Sequence, residues 1–236
     1  MLCSRFGRLS YGVRPVKSKF RVKREKVLYI PNFAKESDLS VLVSHIQKYP
    51  FATWSVISAG EICVNHLPFI YSSDGGRYGT LRGHVARENK VWELLSETES
   101  VVSFLGEQSY ISPSFYPSKS EHGKVVPTWN YVAVQAKGIA TAVHDGSWLL
   151  SHLQELTTVH ESTFEVPWRV SDAPEKFIER LIGAIVGIEI PITSIAGKWK
   201  LGQSRPLVDR QGMVEELKKL GKVEMSKEIA KSGSSA

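Results

Sequence analysis

Residues 108–134, QSYISPSFYPSKSEHGKVVPTWNYVAV, gather side chains that could do chemistry together. Tyr110, Phe115, Tyr116, Trp129 and Tyr131 stand among Lys119, Glu121, His122, Lys124 and Asn130, with three prolines between them. Aromatic faces interleaved with single donors and acceptors suit a flat, heteroatom-rich ligand. Apolar walls hold such a ring while a few polar groups set its orientation. An ordered loop pinned by its prolines is the competing reading.

Two basic clusters could hold an anionic group. In Thr80–Arg87, TLRGHVAR, alternation along a strand places Leu81, Gly83 and Val85 on one face and Arg82 and His84 on the other. Arg87 follows, and Asn89 can cap a helix reaching Leu95. Cations on one strand face, a third beyond it and a helix start beside them make a phosphate cradle. Gly83 would leave room for a ligand against the backbone. A solvated strand face with a cross-strand ion pair is the alternative. The second cluster is Gly197–Pro206, GKWKLGQSRP, in which an extended chain puts Lys198 and Lys200 on one face, with Trp199 and Leu201 on the other.

No other catalytic pattern is present. His66, His84 and His122 lack the spacing of a metal site, and neither a P-loop nor Gly-x-Gly-x-x-Gly occurs. Ser112 and Ser114 have no nucleophile-elbow context.

The elements that must position these groups are readable from period and caps. Ser37-Asp38 starts a helix to about Lys48, with Leu39, Leu42, Val43 and Ile46 on one side, and Pro50 ends it. Phe51–Ile57 and Glu61–Tyr71 read as strands joined through Ala59-Gly60, and Asp74-Gly75-Gly76 makes a turn. Val101–Leu105 and Tyr131–Ala136 are strands flanking the aromatic segment. Ser147–His160 and Pro174–Ile185 are amphipathic helices whose apolar residues are core. Val186–Ile195 is a strand that Pro191 assigns to a sheet edge. After Gln211 the chain becomes Lys/Glu-rich and reads as a helix fraying into a tail. The sum is a β unit of six or seven strands, with cations at two strand ends and an aromatic loop, fitting a barrel that binds a phosphorylated aromatic cofactor.

Composition bounds the rest. The 236 residues are 42% hydrophobic and 23% charged, as a globular chain is. No apolar run approaches the roughly 18 residues of a membrane helix. Cys3 and Cys63 have no partner spacing and read as plain thiols, Cys63 as a small core residue. The net charge of +6 is misleading, because residues 1–26 hold nine basic residues and one acid. The remainder carries 21 basic and 23 acidic side chains and so lacks the field that non-specific nucleic-acid binding uses. The Arg-rich arm reads as a disordered extension, or as a mitochondrial presequence in composition. The expected location is cytoplasmic, or mitochondrial if the arm is a presequence.

Several longer motifs carry a resemblance. Asn65-His66-Leu67-Pro68, Leu81–Arg87, Tyr110-Ile111-Ser112-Pro113, Tyr116-Pro117, Val126–Tyr131 and Val186-Gly187-Ile188-Glu189 resemble the PaiB family, FMN-binding negative transcriptional regulators on the pyridoxamine-phosphate-oxidase-like split barrel. The resemblance covers about Tyr29 to Leu217. It implies an α+β, mainly β fold: a split barrel with peripheral helices, forming a homodimer with FMN in clefts between subunits. Residues 1–27 would then be a basic disordered extension, 28–217 the FMN-binding domain and 218–236 a charged disordered tail. Arg82, His84, Arg87 and Asn89 would hold the FMN phosphate, and Trp129 and Asn130 would contact the isoalloxazine. Asn65 and His66 would form its opposite polar edge, Lys198 and Lys200 would border the N1–C2 region, and Gln203 would also belong to the cofactor site. Gly202 and Ser204 depart from the family, which usually has Ser and Asn there. Two activities follow from the resemblance: a flavin-binding regulator, or an FMN-dependent oxidoreductase or flavin reductase using NAD(P)H.

Overall fold

The computed structural model describes residues 28–58, 60–95 and 99–232. In chain order its elements are β1 (Lys35–Glu36), α1 (Leu39–Lys48), β2 (Phe51–Ser58), β3 (Glu61–Pro68), β4 (Ile70–Ser72), β5 (Thr80–Ala86), β6 (Glu99–Ile111), α2 (Lys119–His122), β7 (Thr128–Ile139), β8 (Thr141–Val143), α3 (Gly146–Glu161), α4 (Glu175–Gly183), β9 (Ile185–Pro191), β10 (Ser194–Lys200), α5 (Leu207–Lys219) and α6 (Val223–Lys231). A 3₁₀ turn over Lys90–Leu94 replaces the helix expected after Asn89.

The described strands form two antiparallel sheets, ordered β1-β10-β7-β6-β2-β3 and β4-β5-β9-β8. The sequence suggests six or seven strands; β1 and β8, two or three residues long, are too short to show a period, and the run read as one strand over Glu61–Tyr71 divides between the two sheets as β3 and β4. β9 is not an edge strand, because β5 and β8 flank it. Pro191 is tolerated as its last residue, beyond the three-residue ladder with β8.

Alternation along these strands builds the main core. Trp54, Val56, Val102, Phe104 and Val134 of the larger sheet meet Leu81, Val186, Ile188 and Ile190 of the smaller one in one buried cluster. Leu42 and Ile46 of α1 close it, and Cys63 packs at its margin. Burying each large apolar side chain contributes about 1.5–3 kcal/mol. Asp38 caps α1 by accepting from the Ser40 amide at 2.8 Å. Gly83 belongs to this packing and leaves no ligand space: a Cβ there would stand 3.0 Å from Leu67 and 3.1 Å from Phe69.

A second core differs most from expectation. Ile111, Tyr116, Val132 and Leu201 pack against Met213 and Leu217 of α5 and Met225 and Ile229 of α6. The stretch anticipated as a charged disordered tail from 218 is therefore a packed helix over 223–231. Its two anchors, four residues apart, lie on one face. The expected basic extension over 1–27, the turn residue Ala59 and the chain end over 233–236 lie outside the described residues. On α4, Phe177 and Leu181 remain exposed and are not core.

β6 and β7 run much farther than their apolar centres, through Ile111 and back from Thr128. Tyr110, Trp129, Asn130 and Tyr131 are thus strand residues, leaving a shorter loop across 112–127. The ladder shifts register between Leu105 and Gln108, a bulge that Gly106 permits by lying against His45 and Tyr49. On the outer face of the larger sheet, Phe51, Ile57, Ile62, Val64 and Leu105 are 48–69% exposed. Pairing of Ile57 with Ile62 and of Ser55 with Val64 aligns Ile57, Ile62 and Val64 on that face.

Candidate functional site

Two motif ends meet beside the smaller sheet. β3 delivers Asn65, His66 and Leu67, and β5 delivers His84, Val85 and Ala86. With Asn89 and Ile185 they line a cleft of about 360 Å³. Asn89 donates from Nδ2 to Asn65 Oδ1 at 2.8 Å and accepts from the Val91 amide at 3.2 Å. One side chain therefore starts the 3₁₀ turn and ties it to β3. His66 sits on the exposed outer face, stacked on Phe51 at 6.4 Å. The structure thus brings together Asn65, His66, His84 and Asn89.

The three cations of the expected cradle do not converge on that cleft. Arg82 Nε donates to Glu189 Oε1 at 3.2 Å, its cross-strand partner. Arg87 donates to the Gly183 and Ile185 carbonyls at 2.7 and 2.8 Å, satisfying the end of α4. His84 turns toward α3, where its Nδ1 lies 3.1 Å from His152 Nε2. Burial holds His84 below the ordinary histidine range, so near neutral pH it is a neutral group instead of a third cation.

The second predicted group collects on β7 and β10. Lys200 Nζ donates to Thr128 Oγ1 and to the Trp129 carbonyl, both at 2.7 Å. Lys198 Nζ donates to the Tyr29 carbonyl at 2.9 Å and lies about 5.5 Å from the Tyr131 ring. Both lysines point from the outer face, as alternation requires, while Trp199 packs into the core. Trp129 donates from Nε1 to Gln108 at 2.9 Å and stands 6.1 Å from Tyr110. With Phe115, Leu220 and Lys222 these two rings border a groove of about 560 Å³.

Two residues expected at the ring are used elsewhere. Asn130 is 1% exposed; its Nδ2 faces Met213 Sδ at 3.8 Å and its Oδ1 has no partner. The even positions of β7 turn inward, so Trp129 and Asn130 cannot serve one surface ligand from the same face. Gln203 clamps its own turn, accepting from the Leu201 amide at 3.0 Å and donating to the Trp199 carbonyl. Gly202, the family departure, has φ +80°, a conformation that favours glycine.

Sequence reasoning missed His152. It lies four residues after Trp148 and three after Leu149, on the apolar side of α3, and is 2% exposed. A polar residue at an apolar-face position was the available signal.

The arrangement is that of a flavin-binding split barrel. The FAD- and heme-binding protein of Mycobacterium smegmatis superposes with a TM-score of 0.54 at 15% identity, over 72% of this chain and 74% of that one, a likeness of fold. Closer in sequence, an uncharacterized protein of Aspergillus fumigatus is 31% identical over 246 residues, covering 86% of this chain and 90% of that protein. Protease synthase and sporulation protein PAI 2 of Bacillus subtilis is 29% identical over 191 residues, covering 80% and 89% respectively. The family model described as "Putative FMN-binding domain" matches residues 28–194, and the chain belongs to that family, the PaiB group. FMN is accordingly its cofactor. The donors fit such a group: two amides and two imidazoles in the cleft suit phosphate or carbonyl oxygens, and two lysines with exposed aromatics suit the ring.

Proposed function

We propose that this chain acts as a homodimeric FMN-binding regulator, holding two FMN per dimer in clefts completed by both subunits, with its flavin state modulating a partner. The observation that carries this reading is the division of the site. His66 of β3 and the lysines of β10 share one outer face, with Asn65 reached around the open edge of β3, but they lie four strand spacings apart, roughly 19 Å at about 4.8 Å each. That is too far for both to surround one ring in a single chain. Two copies packed face to face about a two-fold axis along the strands would set the partner's β10 opposite this chain's β3. In that packing Leu105 of β6 would stand near the axis, while the exposed Phe51, Ile57, Ile62 and Val64 of β2 and β3 would cover the partner's β7 and β10.

Within this reading Asn65, His66 and Asn89 bind oxygen atoms of the cofactor. Lys198 and Lys200 place positive charge beside the ring, favouring its anionic reduced form, and Trp129 shields it from water. Bound FMN supplies one- and two-electron transfer. The regulatory reading draws on the Bacillus subtilis relative, which is named for protease synthesis and sporulation and not for a redox reaction. The charge of residues 27–236, 21 basic against 23 acidic, favours action through a partner over direct grip on DNA by the body.

The test is sedimentation combined with FMN titration of Val64→Glu, which puts a charge at the proposed contact. The unmodified protein should sediment as a dimer with one FMN per chain. The variant should become monomeric and lose FMN affinity at least about tenfold, equivalent to 1.4 kcal/mol. A monomer binding FMN at full affinity would refute the shared site. Steady NAD(P)H oxidation by the purified yellow protein would assign it to the oxidoreductases instead.

A further inference from the structure

His152 is nearly inaccessible, at 2% exposure, yet only one of its two ring nitrogens has a partner. Its Nε2 lies 3.1 Å from His84 Nδ1, the two rings meet edge-on at 5.3 Å, and its other face is stacked on Trp148 at 5.2 Å. Its Nδ1 is buried without a partner. His84 in turn lines the cleft with Asn65, His66 and Asn89. Around the pair stand Arg82 and its partner Glu189 on the strands and Ser151 and Glu155 on α3.

A neutral imidazole carries one N–H and one lone pair, so the shared contact determines both rings. If His84 were the donor, His152 would have to carry its proton on Nδ1, where no acceptor waits. A buried N–H without an acceptor is rarer than an unpaired acceptor, and burial with the Arg82 charge nearby keeps the ring from holding a proton on both nitrogens. We propose that His152 is a positioning residue for the cleft. By donating its Nε2–H to His84 Nδ1, it locks His84 as the tautomer that carries its proton on Nε2. The cleft is thereby given a neutral hydrogen-bond donor for an acceptor oxygen of the ligand. This deepens the flavin reading and rests on it only for the identity of the ligand.

Nitrogen NMR of histidine-labelled, flavin-free protein reads each tautomer directly. The expected result is a bare Nδ1 and protonated Nε2 on His84, with the same pattern on His152. His152→Phe retains a ring on Trp148 but no donor and should leave His84 as a mixture of tautomers. His152→Gln, whose amide can donate, should restore the single form. His84 protonated at Nδ1 in the unmodified protein would overturn the proposal, whether or not the variants fold. An unaltered single tautomer in folded His152→Phe would overturn it as well, as would a divalent metal retained between the rings. A separate arm compares FMN affinity of the unmodified protein with His84→Phe. Their ratio should stay constant to about twofold across pH 6.5, where an ordinary histidine gains its charge. A ratio that climbs on the acid side would mean an imidazolium donor. Failure of FMN to bind would sink the flavin reading alone and leave the tautomer result standing.

Discussion

Three imidazoles, His45, His84 and His152, share one electrostatic condition: burial holds each below the ordinary histidine range. For His152 burial acts first, then the neighbouring His84 and Arg82, and together they push it down to about 4 from 6.5. Between those values the unfolded chain binds more protons than the native one, so stability rises with pH in that window. The contribution is complete above pH 6.5, falls as acid is added, and stops changing for this group below about pH 4. By about pH 5 the loss from His152 is on the order of 2 kcal/mol. Urea midpoints at pH 7 and pH 5 should therefore differ more for the unmodified protein than for His152→Phe. Equal differences would mean that His152 is protonated in the native state. Arg82 shows how residue type alone misleads: the sequence placed it correctly beside His84, but only the β5–β9 register revealed Glu189 opposite it.

At the scale of elements, α6 is the clearest case of a helix made by its contacts. It contributes Met225 and Ile229, both fully buried, to a core that also holds Ile111 of β6 and Val132 of β7. Its exposed ion pair, Lys227 to Glu224 at 2.7 Å, adds little. Ile229→Ala should cost about 2–5 kcal/mol by urea unfolding. Lys227→Ala should stay within about 0.5 kcal/mol. Similar values for both would mean that α6 is not anchored to the body. The same second core explains Asn130, since α5 covers the inward face of β7 and brings Met213 to it. An isolated reading of the motif Thr128-Trp129-Asn130-Tyr131 could not separate its two faces without knowing that β7 begins at Thr128.

At the scale of the molecule, charge is divided along the chain. The first 26 residues carry nine basic side chains and one acid, and the rest is slightly acidic. The family match begins at residue 28. A chain starting at Leu28 should therefore keep FMN affinity within about twofold while losing salt-sensitive, non-specific affinity for duplex DNA. Fluorescence titration and a mobility-shift series in rising salt measure the two separately. Loss of FMN binding would make the arm part of the cofactor site.

What the sequence determined by itself is what repeats or caps locally. The α1 cap at Asp38, the β2–β3 and β5 strands, the α3 helix and the family motifs all declare themselves within a few residues. Period and capping are properties of neighbouring positions, and a single stretch contains them. Pairing, coverage and charge state belong to distant ones. The tertiary structure decided that Arg87 serves the end of α4, that His84 meets His152 across 68 positions, and that Lys/Glu-rich residues fold over a second core. Each depends on which segment folds against which, because a hydrogen bond or a buried face is made only when two remote parts of the chain come within a few ångströms.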